Sequence, residues 1–150
     1  MELAPDFSEF FGLLDAHRAE YLVVGAYALA LHGAPRFTGD IDVFVRPTHE
    51  NARRVLDAIR AFGFPVEPLT AERLCQQDAL VEMGVPPVQI HVMSAISGVT
   101  WEEAWAGRVE HDAEDRRIPF LGRRELVANK RAAGRAKDLA DIEALGEGSL

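Results

Sequence analysis

The sequence predicts an α/β or α+β fold, because stretches with strand character alternate along the chain with stretches of helical periodicity. The 150 residues match the size of one ordinary domain, and 48% of them are hydrophobic, which is enough for a proper core. No repeat, low-complexity tract or interdomain linker interrupts the sequence. We therefore expect a single domain over residues 1–150.

The first predicted elements are a helix, a strand and a second helix. Residues 6–18 carry apolar side chains at helical spacing. The wholly apolar run YLVV at 21–24 is typical of a short strand, and Gly25 stops it. The following segment, AYALALHG, is rich in Ala and Leu, which favours a helix that ends at Gly33.

Strands and helices alternate again in the middle of the chain. After a turn, DIDVFV at 40–45 reads as a strand, and Thr48 opens an amphipathic helix. A short helical turn is predicted over 71–76. Two further strands, ALVEM and VQIHVM, are joined by the turn GVPP.

The C-terminal part is predicted to end in helices. WEEAW forms a short helix or a loop, and GRVEHDAEDRRIPFLG indicates a polar hairpin. Two helices close the chain, at about 123–133 and 137–145, with Gly134 at the break between them.

Composition and charge exclude several classes of protein. The N-terminus lacks the basic region of a signal peptide, and the longest apolar run is shorter than the roughly 20 residues that span a bilayer. We expect a soluble cytoplasmic protein with no membrane partner. The single cysteine, Cys75, suits a reducing compartment, where it is either a structural residue or a nucleophile.

The basic residues are concentrated in one segment of an acidic chain. The net charge is −8, yet half of the Lys and Arg residues lie between Arg116 and Lys137. This segment is either a solvated helix face or a local site for a triphosphate or a nucleic-acid backbone. The overall charge and the absence of a recognition-helix pattern argue against a DNA-binding regulator.

Two aspartates stand one residue apart in the strand DIDVFV. Residues i and i+2 of a strand point to the same side, so Asp40 and Asp42 project together. Two neighbouring carboxylates repel each other unless a cation neutralises them, and Mg²⁺ is the expected ion because it prefers hard oxygen ligands. Such a pair also occurs in caps and turns, so its surroundings decide the interpretation.

The turn before this strand has features of a phosphate site. Gly25, between a strand and a helix, lets the backbone approach a phosphate, although a tight turn alone would also need a glycine there. Arg36 lies in the loop before the aspartates, where it can reach a phosphate with two hydrogen bonds. Together these features indicate metal-assisted phosphoryl or nucleotidyl transfer.

The segment VVGAYALALHGAPRFTGDIDVFV resembles the signature of the nucleotidyltransferase superfamily, in which a glycine and a small residue open a helix that leads to a D-x-D strand. Its R-x-T-x-D-I-D form is similar to AbiEii-like and related small nucleotidyltransferases, some of them toxin–antitoxin components. ISGVTWEEAW and ELVANKRAAGRAKDLADIEAL are similar to later blocks of those families. The resemblance covers most of the chain from Tyr21 to Leu145.

The resemblance implies a mixed β-sheet core flanked by helices, with a helical C-terminus. It also implies that Asp40 and Asp42 hold Mg²⁺ on a nucleoside triphosphate such as ATP. A nucleoside monophosphate is then attached to an acceptor, and pyrophosphate is released. In the related toxins, a lysine and an aspartate of the C-terminal helices contribute, for which Lys130, Lys137 and Asp138 are the candidates.

His91 departs from the family pattern. The families read I-D or V-D here, and that third carboxylate completes the site and helps to activate the acceptor hydroxyl. Imidazole is a poor ligand for Mg²⁺. Four interpretations remain open: His91 is a general base, a nearby acid such as Glu82 replaces the carboxylate, catalysis has been lost, or His91 has no functional role. If GVPP closes the hairpin, Glu82 opposes Gln89 and shares a face with His91.

Two hypotheses about function follow. The first is a Mg²⁺-dependent nucleotidyltransferase whose acceptor is a tRNA end, a protein side chain or a small molecule such as an aminoglycoside, with a homodimer or partner protein to complete the cleft. The second is a non-catalytic binding module, a degenerate nucleotidyltransferase domain such as a toxin–antitoxin partner, in which His91 replaces the third carboxylate. The catalytic candidates are Asp40, Asp42, His91 and Lys137, and the nucleotide-binding candidates are Gly25, Ala26, Arg36, Thr38, Lys130 and Asp138.

Overall fold

The computed structural model describes residues 3–35 and 38–146, which form helices and strands in the alternating order that the sequence predicts. In chain order they are α1 (Pro5–Ala16), β1 (Tyr21–Val24), α2 (Gly25–Leu31), β2 (Ile41–Val45), α3 (His49–Phe62), α4 (Ala71–Leu74), β3 (Leu80–Val85), β4 (Val88–Met93), α5 (Trp101–Ala106), β5 (Val109–Ala113), β6 (Arg116–Phe120), α6 (Arg123–Ala133) and α7 (Ala136–Ala144).

The strands form one mixed sheet in the order β3-β4-β2-β1-β6-β5. Strand β2 is antiparallel to β1 and parallel to β4, and β1 is parallel to β6. The two hairpins, β3–β4 and β5–β6, lie at opposite edges of the sheet. The central strands β1 and β2 therefore sit where chain segments from both halves of the sequence converge.

Helices on the sheet bury a continuous apolar core. The helical face predicted for the first segment is buried in α1, where Phe7, Phe10 and Leu14 are at most 1% exposed, and α1 packs on α3. In α3 the side chain of Thr48 accepts a hydrogen bond from the amide of Asn51, which confirms Thr48 as the residue that opens this helix.

The β3–β4 hairpin has a different register from the one that the sequence suggested. Pairing continues through Gly84 and Val85, so Glu82 opposes His91 rather than Gln89. The prediction was wrong because GVPP was taken whole as the turn, whereas Val85 still pairs with Val88. The register differs by two residues, and a shift of two keeps each side chain on its original face of the sheet. Glu82 and His91 thus share a face, as expected.

Residues of the two C-terminal helices line the same space as Asp40 and Asp42. Helix α6 ends where Gly134 adopts a left-handed conformation (φ 66°), and α7 begins two residues later. A salt-bridge network described below joins α6 to α7. None of the helices within the described residues is long and apolar enough to cross a membrane.

Candidate functional site

A cleft of about 470 Å³ opens between the edge of β2 and β4 on one side and helices α6 and α7 on the other. All the catalytic and nucleotide-binding candidates of the sequence analysis except Arg36, which lies outside the described residues, line this cleft. They are Gly25, Ala26, Thr38, Asp40, Asp42, His91, Lys130, Lys137 and Asp138. Residues that are more than one hundred positions apart in the sequence therefore surround one space.

Asp40 and Asp42 project from the cleft end of β2. Asp40 directly precedes the strand and Asp42 is its second residue, and both are half-buried, whereas Ile41 between them is buried in the core. Strand β4 engages one oxygen of each carboxylate. The amide of Gln89 donates to Asp40 Oδ1 at 2.9 Å, and Nδ1 of His91 lies 3.0 Å from Asp42 Oδ1.

The second oxygen of each carboxylate is left for a ligand. Within residues 3–35 and 38–146, neither Oδ2 of Asp40 nor Oδ2 of Asp42 makes a hydrogen bond or an ion pair. Two fixed carboxylates with one available oxygen apiece are hard donors of the kind that Mg²⁺ uses together with substrate phosphates. No three His, Cys, Asp or Glu side chains of the described residues are arranged to hold one metal ion. The donor set fits an ion that takes its remaining ligands from phosphates and water.

Gly25 is required by the backbone and by its closeness to Asp42. It opens α2 with φ at 67°, a left-handed conformation that favours glycine. A Cβ built on Gly25 would collide with Oδ2 of Asp42. The glycine therefore keeps open the space beside the available carboxylate oxygen. Gly39 has a comparable role, since a Cβ there would collide with the carbonyl of Pro87 in the β3–β4 turn.

His91 lies between two carboxylates in a row that crosses the sheet. The register pairs it with Asp42 on β2 and with Glu82 on β3. Because a carboxylate only accepts, the hydrogen bond to Asp42 places a proton on Nδ1. Nε2 lies 3.2 Å from Oε1 of Gln89 and 3.6 Å from Oε2 of Glu82. His91 thus orients Asp42 and has acceptor groups beside its second nitrogen.

The opposite wall of the cleft is built on a buried ion-pair network. Lys130 on α6 is 5% exposed, and its Nζ lies 3.0 Å from Oδ2 of Asp141 and 3.4 Å from Oδ1 of Asp138, both on α7. Arg135 donates from Nε to Oδ2 of Asp138 at 2.6 Å and from Nη2 to Oδ1 at 3.2 Å. Hydrogen bonding to Arg135 lowers the pKa of Asp138 from 3.8 to about 2. Asp138 is therefore ionised and saturated, and it positions Lys130 and Arg135.

Lys137 differs from Lys130 in being exposed at the rim of the cleft. Within the described part of the chain it makes no ion pair or hydrogen bond. It is a free ammonium group on the wall opposite the aspartates. This arrangement suits a group that binds phosphate after a substrate has entered.

The concentration of basic residues between 116 and 137 has mostly internal uses. Arg116 pairs with Asp15, and Arg117 pairs with Asp112. Arg123 donates to the carbonyls of His32 and Leu145. With Lys130 and Arg135 in the α6–α7 network, at least five of the eight cations are engaged by other groups of the described residues. The segment is not a continuous basic surface, and its contribution to the cleft centres on Lys137.

Sequence reasoning missed Gln89, Arg135 and Asp141 as residues that support the site. The sequence could have indicated Gln89, since in Q-I-H it shares a strand face with His91. It could also have indicated Arg135, which lies three residues before Asp138, the spacing of an N-terminal capping box. No sequence pattern indicates Asp141, because its contact with Lys130 depends on how α7 packs on α6. The structure also favours a structural role for Cys75, because burial and the nearby Glu72 raise the pKa of its thiol.

The profile of one protein family, described as "Nucleotidyltransferase of unknown function (DUF6036)", matches residues 5–146. The chain belongs to this family. The match confirms the nucleotidyltransferase resemblance over nearly the whole sequence, while the AbiEii-like subtype stays a prediction. No curated protein sequence matches the chain.

Solved structures confirm the fold. The lincomycin-bound crystal structure of the lincosamide antibiotic adenylyltransferase LnuA superposes with a TM-score of 0.60 at 12% identity, covering 98% of each chain. A protein from Thermotoga maritima assigned as a nucleotidyltransferase superposes with a TM-score of 0.60 at 14% identity, covering 94% of this chain and 88% of the other. At these identities the similarity establishes the shared mixed-sheet architecture alone.

Proposed function

We propose that this protein is a Mg²⁺-dependent nucleotidyltransferase that uses a nucleoside triphosphate, ATP among the candidates, within a single cytoplasmic domain. The observation that carries the proposal is the cleft itself. Asp40, just before β2, and Asp42, on β2, each keep one carboxylate oxygen available, and the free ammonium group of Lys137 lies on the opposite wall. The chain's membership of a nucleotidyltransferase family supports the same chemistry.

In the proposed reaction, the oxygen of an acceptor hydroxyl forms a bond to the α-phosphorus of the triphosphate. The bond from that phosphorus to the bridging oxygen breaks, so the acceptor gains a nucleoside monophosphate and pyrophosphate leaves. Mg²⁺ held by Asp40 and Asp42 would neutralise phosphate charge and orient the triphosphate. Lys137 would bind phosphate oxygens from the other wall, and the main chain at Gly25 and Ala26 leaves room for close approach.

His91 has two roles in this proposal. Its Nδ1–H holds Asp42 in place. To receive the proton of the acceptor hydroxyl, Nε2 would have to be without a proton, and its contact with Oε1 of Gln89 would then be broken, because two acceptors cannot share a hydrogen bond. Gln89 and Glu82 offer oxygens near Nε2, and these would stabilise the imidazolium that forms. Glu82 contributes in this way to the negative charge that a third carboxylate would otherwise supply.

A small molecule is the acceptor class that we favour over a tRNA end or a protein. At least five of the cations of the 116–137 segment are paired with acids or carbonyls of the protein, which lowers the net positive charge that this segment presents to a polyanion. The structurally similar LnuA was crystallised with lincomycin, a small molecule, and is named as an adenylyltransferase. A homodimer or a partner protein would complete the walls of the open cleft.

A degenerate binding protein, such as a toxin–antitoxin partner, is the second candidate. It is favoured by one observation, the histidine that stands directly beside Asp42 and occupies one of its oxygens. Such a protein would bind a triphosphate weakly or not at all, and replacement of Asp42 would not impair it.

The deciding experiment is isothermal titration of ATP, GTP, CTP and UTP, each with and without Mg²⁺, on the wild type and on Asp42→Asn. Asp57→Asn, an exposed change on α3, is the matched control. Binding that requires Mg²⁺ and is abolished only by Asp42→Asn is the expected result. If no triphosphate binds to a wild type that is folded by circular dichroism, the enzyme proposal fails and the degenerate module takes its place.

A further inference from the structure

The cleft has a charged part and an uncharged end. The charged part holds the two aspartates, His91 and Lys137. The uncharged end lies further along the chain from His91, on β4, the loop after it and helix α6, and is lined by Met93, Ala95, Ile96, Ser97 and Asn129. None of these five residues carries a charge, and Met93, Ile96 and Asn129 are half-buried, so their side chains are accessible from the cleft. The chemistry proposed above uses only the charged part.

The uncharged end is closed by the loop after β4, which docks on α6. The side chain of Asn129 on α6 donates from Nδ2 to the carbonyl of Ser97 in this loop at 2.9 Å. A Cβ built on Gly98, the next residue of the loop, would collide with Cβ of Ala132 on α6. The backbone of the loop therefore lies directly on the helix, and the two form one wall.

The hydrogen bond to Ser97 fixes the orientation of the Asn129 amide. A carbonyl oxygen only accepts, so the atom that faces the carbonyl of Ser97 must be Nδ2 and not Oδ1. Oδ1 of Asn129 makes no hydrogen bond to any other described residue. The uncharged end thus offers a hydrogen-bond acceptor that is held in one orientation.

The two sides of His91 separate the acceptor from the nucleotide. Nε2, the atom that would receive the acceptor proton, lies 3.2 Å from Oε1 of Gln89 and 3.6 Å from Oε2 of Glu82. On β4, Gln89 precedes His91 and Met93 follows it, each about 7 Å away on the same face. The acceptor hydroxyl would therefore approach from the side of Gln89, which leaves the side of Met93 for the nucleotide. Because one ribose separates phosphate from base, a triphosphate bound at Asp42 would place its base at the uncharged end.

We propose that the uncharged end binds the nucleobase, and that Asn129 selects a base with an amino group, the 6-amino group of adenine or the 4-amino group of cytosine. This amino group would donate to Oδ1 of Asn129, and the ring would pack against Met93 and Ile96. In guanine and uracil an oxygen occupies the corresponding position, and two acceptors cannot share a hydrogen bond. The inference rests on the proposed nucleotidyl transfer and adds to it a residue that determines which triphosphate is used.

The test compares triphosphates that differ by one amino group. Purine riboside 5′-triphosphate is ATP without its 6-amino group, and zebularine 5′-triphosphate is CTP without its 4-amino group. Each is titrated by calorimetry, with Mg²⁺, into the full chain, and the ratio of affinities within a pair isolates the amino group. The variants are Asn129→Leu, which removes the amide at similar size, and, as the control, Gln77→Leu, whose exposed side chain lies outside the cleft.

We expect ATP or CTP to bind the wild type about five- to tenfold more tightly than its matching analogue, and the pair with the larger ratio identifies the base. Asn129→Leu should bring this ratio close to one, and Gln77→Leu should leave it unchanged. Loss of the loop contact alone would weaken both members of a pair equally, so an unchanged ratio in Asn129→Leu would overturn the proposal. So would ratios near one for both pairs in the wild type, or tighter binding of GTP or UTP than of ATP and CTP.

A second variant separates base selection from the anchoring of the loop. Asn129→Asp keeps an acceptor oxygen but cannot donate to the carbonyl of Ser97. It should retain the preference for the amino group although the loop has lost its anchor. A ratio near one in this variant, when it is folded by circular dichroism, would assign the amide to anchoring and refute base selection.

Failure of base selection can be told from failure of the proposed function. Mg²⁺-dependent binding of triphosphates with no preference for the amino group would refute the role of Asn129 and leave the nucleotidyltransferase proposal standing. If the folded wild type binds no triphosphate at all, both proposals are refuted.

Discussion

Replacing Asp138 with asparagine should destabilise the protein markedly, even though the two side chains have nearly the same shape. The Asp138 side chain is fully buried and accepts hydrogen bonds from Arg135 and Lys130. Asparagine removes the charge and turns one acceptor into a donor that faces a cation. Breaking a buried ion pair costs about 3–5 kcal/mol. We expect Asp138→Asn to lower the free energy of unfolding by about 3 kcal/mol, the low end of that range, because Asp141 still neutralises Lys130 at 3.0 Å.

The loss should depend on pH in a defined direction. Hydrogen bonding to Arg135 holds the pKa of Asp138 at about 2 in the folded protein, below its ordinary value of 3.8. A carboxyl group with a lowered pKa contributes stability above its unfolded pKa and loses it as the pH falls toward the folded value. The difference between wild type and Asp138→Asn should therefore be constant above about pH 5 and shrink below it.

Urea denaturation followed by circular dichroism, from about pH 7 down to about pH 3.5, measures both effects. Asp112→Asn is the control, since Asp112 forms an exposed pair with Arg117 and should cost less than about 1 kcal/mol. A loss below about 1 kcal/mol for Asp138→Asn, or a loss that does not change with pH, would refute the network as the support of the cleft wall.

Three further changes test the cleft itself. Gly25→Ala should lower the free energy of unfolding by about 1–3 kcal/mol, because the backbone of Gly25 is left-handed. It should also abolish Mg²⁺-dependent triphosphate binding, because the new Cβ would collide with Asp42. Full binding in calorimetry would contradict this. His91→Asp places a carboxylate beside Asp42. The free energy of unfolding should therefore fall by about 1 kcal/mol without Mg²⁺ and recover when Mg²⁺ is added. A melting temperature that does not respond to Mg²⁺ would exclude a metal at this position. Lys137→Met should leave the free energy of unfolding within about 0.5 kcal/mol of wild type, because the side chain is exposed. It should weaken triphosphate binding about tenfold. Arg124→Met, on α6 and outside the cleft lining, is the control and should bind the triphosphate as the wild type does.

The sequence by itself was sufficient for features that depend on neighbours along the chain. The alternation in DIDVFV placed Asp40 and Asp42 on one side, and the structure has both lining one cleft while Ile41 is buried. The position of Gly25 between strand and helix indicated its backbone conformation. These inferences succeed because the two-residue period of a strand and the sterics of glycine are local properties.

Tertiary structure decided every relation between distant segments. His91 meets Asp42 because β2 and β4 pair in parallel across 49 residues, and no local period encodes that register. The basic segment shows its charges in the sequence, but only the fold shows that Lys130 and Arg135 are paired and Lys137 is free within the described residues. The edge contact between Phe44 and Trp101 likewise joins segments that are distant in the sequence. Pairing, neutralisation and enclosure depend on distances in space, which the order of residues along a chain does not specify.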